Sequence, residues 1–165
     1  MRNWIRNHSI GITLVPVILT MALIFSFSAQ TGEVSGQLSG NITRALVGLF
    51  VWDLEAMSPA QQQELLNTVG LVIRKGAHFS EYALLGLFLM LHIREVSKRT
   101  SVRFAPLWAW GIGTLYAVTD ELHQGFVGGR HPALTDVMID SSGVITGVGI
   151  LLLLFYGIRR KNAKK

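Results

Sequence analysis

The 165-residue chain has no cysteine. Disulfides, thiolate zinc sites and cysteine nucleophiles are therefore excluded, and nothing points to a redox compartment. Charge is also scarce: 15% of residues are Asp, Glu, Lys or Arg, against 50% hydrophobic, and the mean hydropathy is +0.41. A small water-soluble domain carries more charge than that. No HExxH-type helix is present, so the helical zinc-hydrolase signature is missing. No pair of repeated halves is visible, which argues against a transporter built from internal repeats. The net charge of +5 and a pI near 10 would suit nucleic acid. The basic residues, however, sit at the ends of apolar stretches and not on one face, so no nucleic-acid partner is expected.

What the chain does have is four apolar stretches, at residues 10–27, 76–93, 105–119 and 137–156. Each approaches the ~20 residues needed to cross a bilayer core. The expected fold is all-α: one polytopic membrane domain over residues 1–165, with four transmembrane helices at about 10–27, 76–93, 105–122 and 137–156. The first run follows Arg2 and Arg6 and ends in small residues, as a signal peptide would. It is longer than a signal core and contains Pro16, so it is expected to be retained.

The connection from residue 31 to 74 is too long to be structureless. Leu38, Ile42, Ala45, Leu46, Leu49 and Phe50 recur at helical intervals with Gln37, Asn41 and Arg44 between them, which predicts an amphipathic helix at the interface. Ser58-Pro59-Ala60-Gln61 reads as a capped helix start that leads towards the second span, with Gly70 and Gly76 as places to bend. Lys and Arg number two before the first span, three in the long connection, four in 94–103, one in 120–136 and five in the tail. This alternation predicts a multi-pass protein with both termini and the 94–103 loop cytoplasmic.

That topology gathers the polar residues. Ser26, Ser28 and Gln30 close the first span, and Lys75, His78, Glu81 and Tyr82 open the second. Asp120, Glu121, His123 and Gln124 close the third, Arg130 follows on the loop, and Asp136 and Asp140 open the fourth. All are expected at one depth on the extracytoplasmic side. Spacings of three and four residues let His78, Glu81 and Tyr82, then Asp120, His123 and Gln124, then Asp136 and Asp140, each share a helix face. Ionisable groups at such a depth are a functional-site hypothesis. Gly143 and Gly147, with Ser142 and Gly149, read instead as small residues for close helix packing. His8, His92 and His131 are set aside by position, and Trp4, Trp52, Trp108 and Trp110 read as interfacial anchors.

Three motifs make the pattern specific: Phe25-Ser26-Phe27-Ser28-Ala29-Gln30, Arg74-Lys75-Gly76-Ala77-His78-Phe79-Ser80-Glu81-Tyr82, and Asp120-Glu121-Leu122-His123-Gln124. The third continues through Phe126-Val127-Gly128-Gly129-Arg130 to Asp136 and Asp140. In order and spacing the chain resembles the VanZ-like family of small bacterial membrane proteins, named for a teicoplanin-resistance accessory protein. The resemblance implies a four-span helical fold in the bacterial cytoplasmic membrane and a cell-envelope role linked to glycopeptide resistance. It supplies no mechanism.

Two functions of different class fit the residues. One is a hydrolase or transferase acting at the outer face on a lipid-linked or cell-wall precursor. His78, Glu81, Asp120, Glu121, His123 and Asp140 are then the catalytic candidates, by acid–base chemistry or through a divalent metal of open identity. Ser26, Ser28, Gln30, Lys75, Tyr82, Gln124, Arg130 and Asp136 are the ligand-binding candidates, with Arg130 suited to a phosphate or carboxylate. The other is a protein that binds a glycopeptide, lipid or precursor without turnover. Against both stands a structural reading, in which Lys75, His78 and Arg130 neutralise Glu81, Asp120, Asp136 and Asp140 as buried pairs. Beyond the bilayer and such a ligand, the sequence names no partner.

Overall fold

The computed structural model describes residues 2–163, with side chains from His8 onward. Arg2, Trp4 and Arg6 as side chains, and Lys164 and Lys165, lie outside the described residues. Five α-helices follow one another: α1 (Arg2–Ser28), α2 (Gly32–Phe50), α3 (Pro59–Ser97), α4 (Ala105–Gln124) and α5 (Leu134–Asn162). A short 3-10 turn, Leu54–Ala56, separates α2 from α3. No strand occurs among the described residues, so the all-α expectation holds.

The start of α3 is the one its sequence dictates. The Ser58 side chain accepts from the Gln61 backbone, the Gln61 side chain accepts from the Ser58 backbone, and Pro59 occupies the first turn, where its missing N–H costs nothing. From there the helix runs 39 residues without interruption at Gly70 or Gly76. At 1.5 Å per residue it is roughly 58 Å long, nearly twice the ~30 Å hydrocarbon core. The second apolar stretch is thus the C-terminal half of a longer rod. Its N-terminal half carries α2, with the buried Thr43 lying against Gly70.

The α2 helix forms close to its expected bounds, but its apolar stripe does not dock on the protein. Leu38, Ile42, Leu46, Leu49 and Phe50 are exposed, while Thr43 and Val47 are the buried positions.

α3 is also the axis of the bundle, since α1, α2, α4 and α5 all pack against it. Its closest partner is α5, and glycine sets the distance. A Cβ on Gly147 would lie 1.8 Å from the Ala83 carbonyl oxygen, one on Gly143 2.4 Å from the Phe79 carbonyl oxygen, and one on Gly86 2.4 Å from the Val144 carbonyl oxygen. Backbone thus meets backbone along this seam, as the small residues of α5 predict. Tyr82, Leu85, Leu89, Val144, Val148 and Leu151 fill the interior around it with Ile24 and Ala117. At the end away from the polar motifs, His92 Nδ1 pairs with the Thr13 hydroxyl at 3.1 Å, and Arg94 lies 3.5 Å from the Phe155 ring centroid. His92 is accounted for there as a tie between α1 and α3.

Three helices among the described residues are long and apolar enough to cross a membrane: α1 over His8–Ser28, α3 and α5. The expected third span, α4, does not reach that mark; Asp120, Glu121, His123 and Gln124 occupy its last turn and a half. Those same residues belong to the polar end of the molecule.

Candidate functional site

Chain direction alone brings four of the polar segments together. The end of α1, the end of α4 and the start of α5 lie at the same end of the bundle, beside the middle of α3. The start of α2 joins them by a backbone contact. The Gly32 N–H donates to the Gly128 carbonyl at 3.0 Å, and a Cβ on Gly32 would lie 2.2 Å from the Gly129 oxygen. Gly129 has a φ of +75°, in the left-handed region, so the turn needs glycine on both counts.

Arg130, just after that turn, holds the end together. Its Nε donates to the Gln30 carbonyl at 3.1 Å, one terminal nitrogen to the Phe27 carbonyl at 3.2 Å, and the other to Gln124 Oε1 at 3.0 Å. Gln124 passes the connection inward through a 3.1 Å bond from Nε2 to Asp120 Oδ2. The guanidinium makes no carboxylate pair among the described residues. Burial, and then the neighbouring Arg74, lower its proton affinity below that of a free arginine.

Behind this clamp the interior is polar and incompletely paired. Asp140 is 2% exposed, Asp120 4%, Ser28 1% and Tyr82 0%. The Tyr82 hydroxyl lies near Asp120, yet neither it nor Asp120 Oδ1 makes a hydrogen bond of good geometry. Ser28 Oγ, Asp140 Oδ1, His78 Nδ1 and His123 Nδ1 are also buried without a protein partner. Among the described residues every such orphaned side-chain atom lies at this one end, whereas folded proteins pair nearly all buried polar groups. Ordinary core packing gives no account of that concentration.

A cavity of about 220 Å³ opens onto the cluster. Arg74, Lys75 and His78 of α3 form one wall, Asp136 and Asp140 of α5 another, and Gln124, Arg130 and His131 the third. Gly32 and Ser35 of α2 lie at its edge. A second cavity of about 230 Å³ lies between α2 and α3, lined by Leu38, Ile42, Ile73 and Ala77 with Phe27, Gln30 and Glu81. Ser35, Arg74, His78 and Arg130 line both.

The structure sorts the expected residues. Lys75, His78, Gln124, Arg130, Asp136 and Asp140 line the polar cavity, and Gln30 and Glu81 line the apolar one. Asp120, Tyr82 and Ser28 are buried at the same end. Glu121 serves the backbone beside it, since its Oε1 accepts the Ala133 N–H at 2.6 Å and so satisfies a donor at the start of α5. The His123 ring lies against Phe25 at 4.7 Å between centroids. Ser26 is exposed, and its hydroxyl turns back onto the Ala22 carbonyl of its own helix. No group of three His, Asp or Glu among the described residues is arranged to hold a metal ion.

The alternative reading, a network of neutralising pairs, is met at one pair. Of those partners only Lys75 and Asp136 make an ion pair, at 2.6 Å and with both side chains partly exposed. Asp120 and Asp140 are left without a cation in bonding contact.

Two ionisable residues that line the polar cavity fall outside the expected set: His131, a loop residue by position, and Arg74, the edge of a motif. The basic RK pair directly before Gly76-Ala77-His78 is the signal for Arg74. Nothing local marks His131, which reaches the cavity because the Gly128–Gly129 turn folds back on α2.

Comparison with known proteins agrees with the motifs. The VanZ/LLP1 family model matches residues 13–155. No match was found among curated proteins or among solved structures.

Proposed function

Since the chain belongs to the VanZ/LLP1 family, we propose that it is a bacterial cell-envelope membrane protein. In this reading it crosses the cytoplasmic membrane four times and keeps both termini inside. Its polar end lies at the extracytoplasmic face and carries out hydrolysis or group transfer on a lipid-linked or cell-wall precursor. By family resemblance the setting is glycopeptide resistance.

One observation carries the catalytic part: the orphaned buried polar atoms all gather at one end, and two of the groups that own them, His78 and Asp140, face one open cavity. Evolution keeps unpaired buried carboxylates and imidazoles where they handle a proton or a ligand, because otherwise they only cost stability. In this reading His78 takes the proton of an attacking water or hydroxyl, and a protonated Asp140 gives one to the leaving group. Lys75 and Arg130 supply positive charge for an anionic substrate. His78→Ala and Asp140→Asn should each abolish the envelope phenotype while membrane levels of the protein stay unchanged. Full activity in both variants would overturn the catalytic reading.

A second reading is binding of the same precursor or of a glycopeptide without turnover. It is favoured by the position of Asp120, Glu121 and His123, none of which lines either cavity. Stoichiometric binding by purified protein, insensitive to chelators and without product, would select it.

A further inference from the structure

The polar cavity and the apolar one adjoin along a shared wall that includes Arg74. Both cavities share Arg74, His78, Arg130 and Ser35. On one side of that boundary lie cationic and hydrogen-bonding groups, and on the other Leu38, Ile42, Ile73 and Ala77. We propose that the two cavities together take one anionic amphiphile, a lipid phosphate whose head sits between Arg74 and Arg130 and whose chain lies in the slot between α2 and α3. The inference rests on the reading of a precursor-handling site and names the chemical class of its ligand.

Three features point to a phosphate. Arg74 makes no ion pair or hydrogen bond among the described residues, although its neighbour Lys75 has Asp136. Arg74 and Arg130 are close enough for their charges to repel, an arrangement that an anion between them relieves. Guanidinium groups also match a tetrahedral oxyanion with paired N–H donors better than a point charge does.

Two features point to a lipid in place of a soluble anion. Phe27, Leu38, Ile42, Ile73 and Ala77 give the slot an apolar wall beside the polar Gln30, Ser39 and Glu81, and Phe27, Leu38 and Ile42 are also exposed on the outside. A chain can therefore enter along the apolar wall. A soluble ion would have no use for that compartment, whereas a lipid phosphate fills both with complementary chemistry.

The test uses the full-length protein in neutral maltoside micelles, with dodecyl phosphate, dodecanol and inorganic phosphate as probes. Dodecyl phosphate should bind at least tenfold more tightly than either of the others. Arg74→Gln should weaken it about tenfold, the effect of losing one charge-assisted contact. Ile42→Asn, on an exposed helix face and so compatible with folding, should weaken dodecyl phosphate and leave inorganic phosphate unchanged. Equal binding of inorganic phosphate, unaffected by Ile42→Asn, would overturn the lipid assignment. Equal binding of dodecanol, unaffected by Arg74→Gln, would overturn the phosphate assignment. If dodecyl phosphate binds as expected but no turnover of any precursor is seen, the catalytic reading fails and this inference stands. If Asp140→Asn abolishes turnover while dodecyl phosphate fails to bind, the reverse holds.

Discussion

Asp140 and Asp120 are carboxylates buried to within a few per cent and left without a bonded cation. A buried carboxylate in that state opposes folding, and an amide of the same shape removes the charge without opening a cavity. Asp140→Asn and Asp120→Asn are therefore expected to leave the unfolding temperature in detergent unchanged or raised, while the envelope function is lost. A fall of several degrees would mean that the carboxylates hold the bundle together after all. Arg130 is the opposite case, since its three hydrogen bonds join α1, α4 and the loop. Arg130→Ala should cost about 2 kcal/mol, in line with hydrogen bonds to a charged donor at a partly buried site. Arg130→Lys should recover only part of that loss, because an ammonium cannot reproduce the fork. Chemical unfolding of the two variants side by side checks both statements.

At the scale of elements, the seam between α3 and α5 makes a sharp comparison. Gly147 has no room for a side chain, whereas Gly149, on the same helix, has nothing within 4 Å of its Cβ position. Gly147→Ala is expected to destabilise by about 1–3 kcal/mol, the usual cost of overpacking. Gly149→Ala should be neutral or slightly stabilising, as helix propensity favours alanine. Equal behaviour of the two in a thermal unfolding series would show that the seam is looser than its geometry. The sequence carried this seam, because small residues at i and i+4 in an apolar helix have few other uses. It also carried the capping box at Ser58 and the gathering of the polar ends, which follow from local chemistry and chain direction. It left the length of α3 open: Gly70 and Gly76 are places where a helix can bend, and α3 runs through both. Nor did it carry the split of the acidic cluster, where Glu121 caps α5 and Asp120 turns inward. Neighbouring residues on a helix point about 100° apart, and which of them faces the bundle is decided by the partner helices. That Arg74 and Ser35 line both cavities depends on α2 lying against α3, a tertiary contact that no local pattern encodes.

At the scale of the molecule, the number of crossings decides on which side the termini lie. Three spans, α1, α3 and α5, would put them on opposite sides, and a crossing by α4 as well puts them on the same side. α4 runs from the end of α3 to the start of α5 and packs against both, as a fourth crossing would require. Its 20 residues give about 30 Å at 1.5 Å per residue, matching the hydrocarbon core. Leu107, Trp108, Leu115 and Val118 also present an apolar outer face. Asp120, Glu121 and Gln124 of its last turns are buried against the other helices. The chain's lack of cysteine makes this directly testable, because every introduced thiol is the only one present. In intact cells, a membrane-impermeant maleimide should label Ser35→Cys and Gly128→Cys, at the polar end. Ser101→Cys and Ala163→Cys should react only after permeabilisation. Labelling of Ala163→Cys from outside, with Ser101→Cys still protected, would mean that α5 ends on the far side. The polar cavity would then face the cytoplasm or lie at a different depth, and a role at the outer surface of the membrane would be untenable.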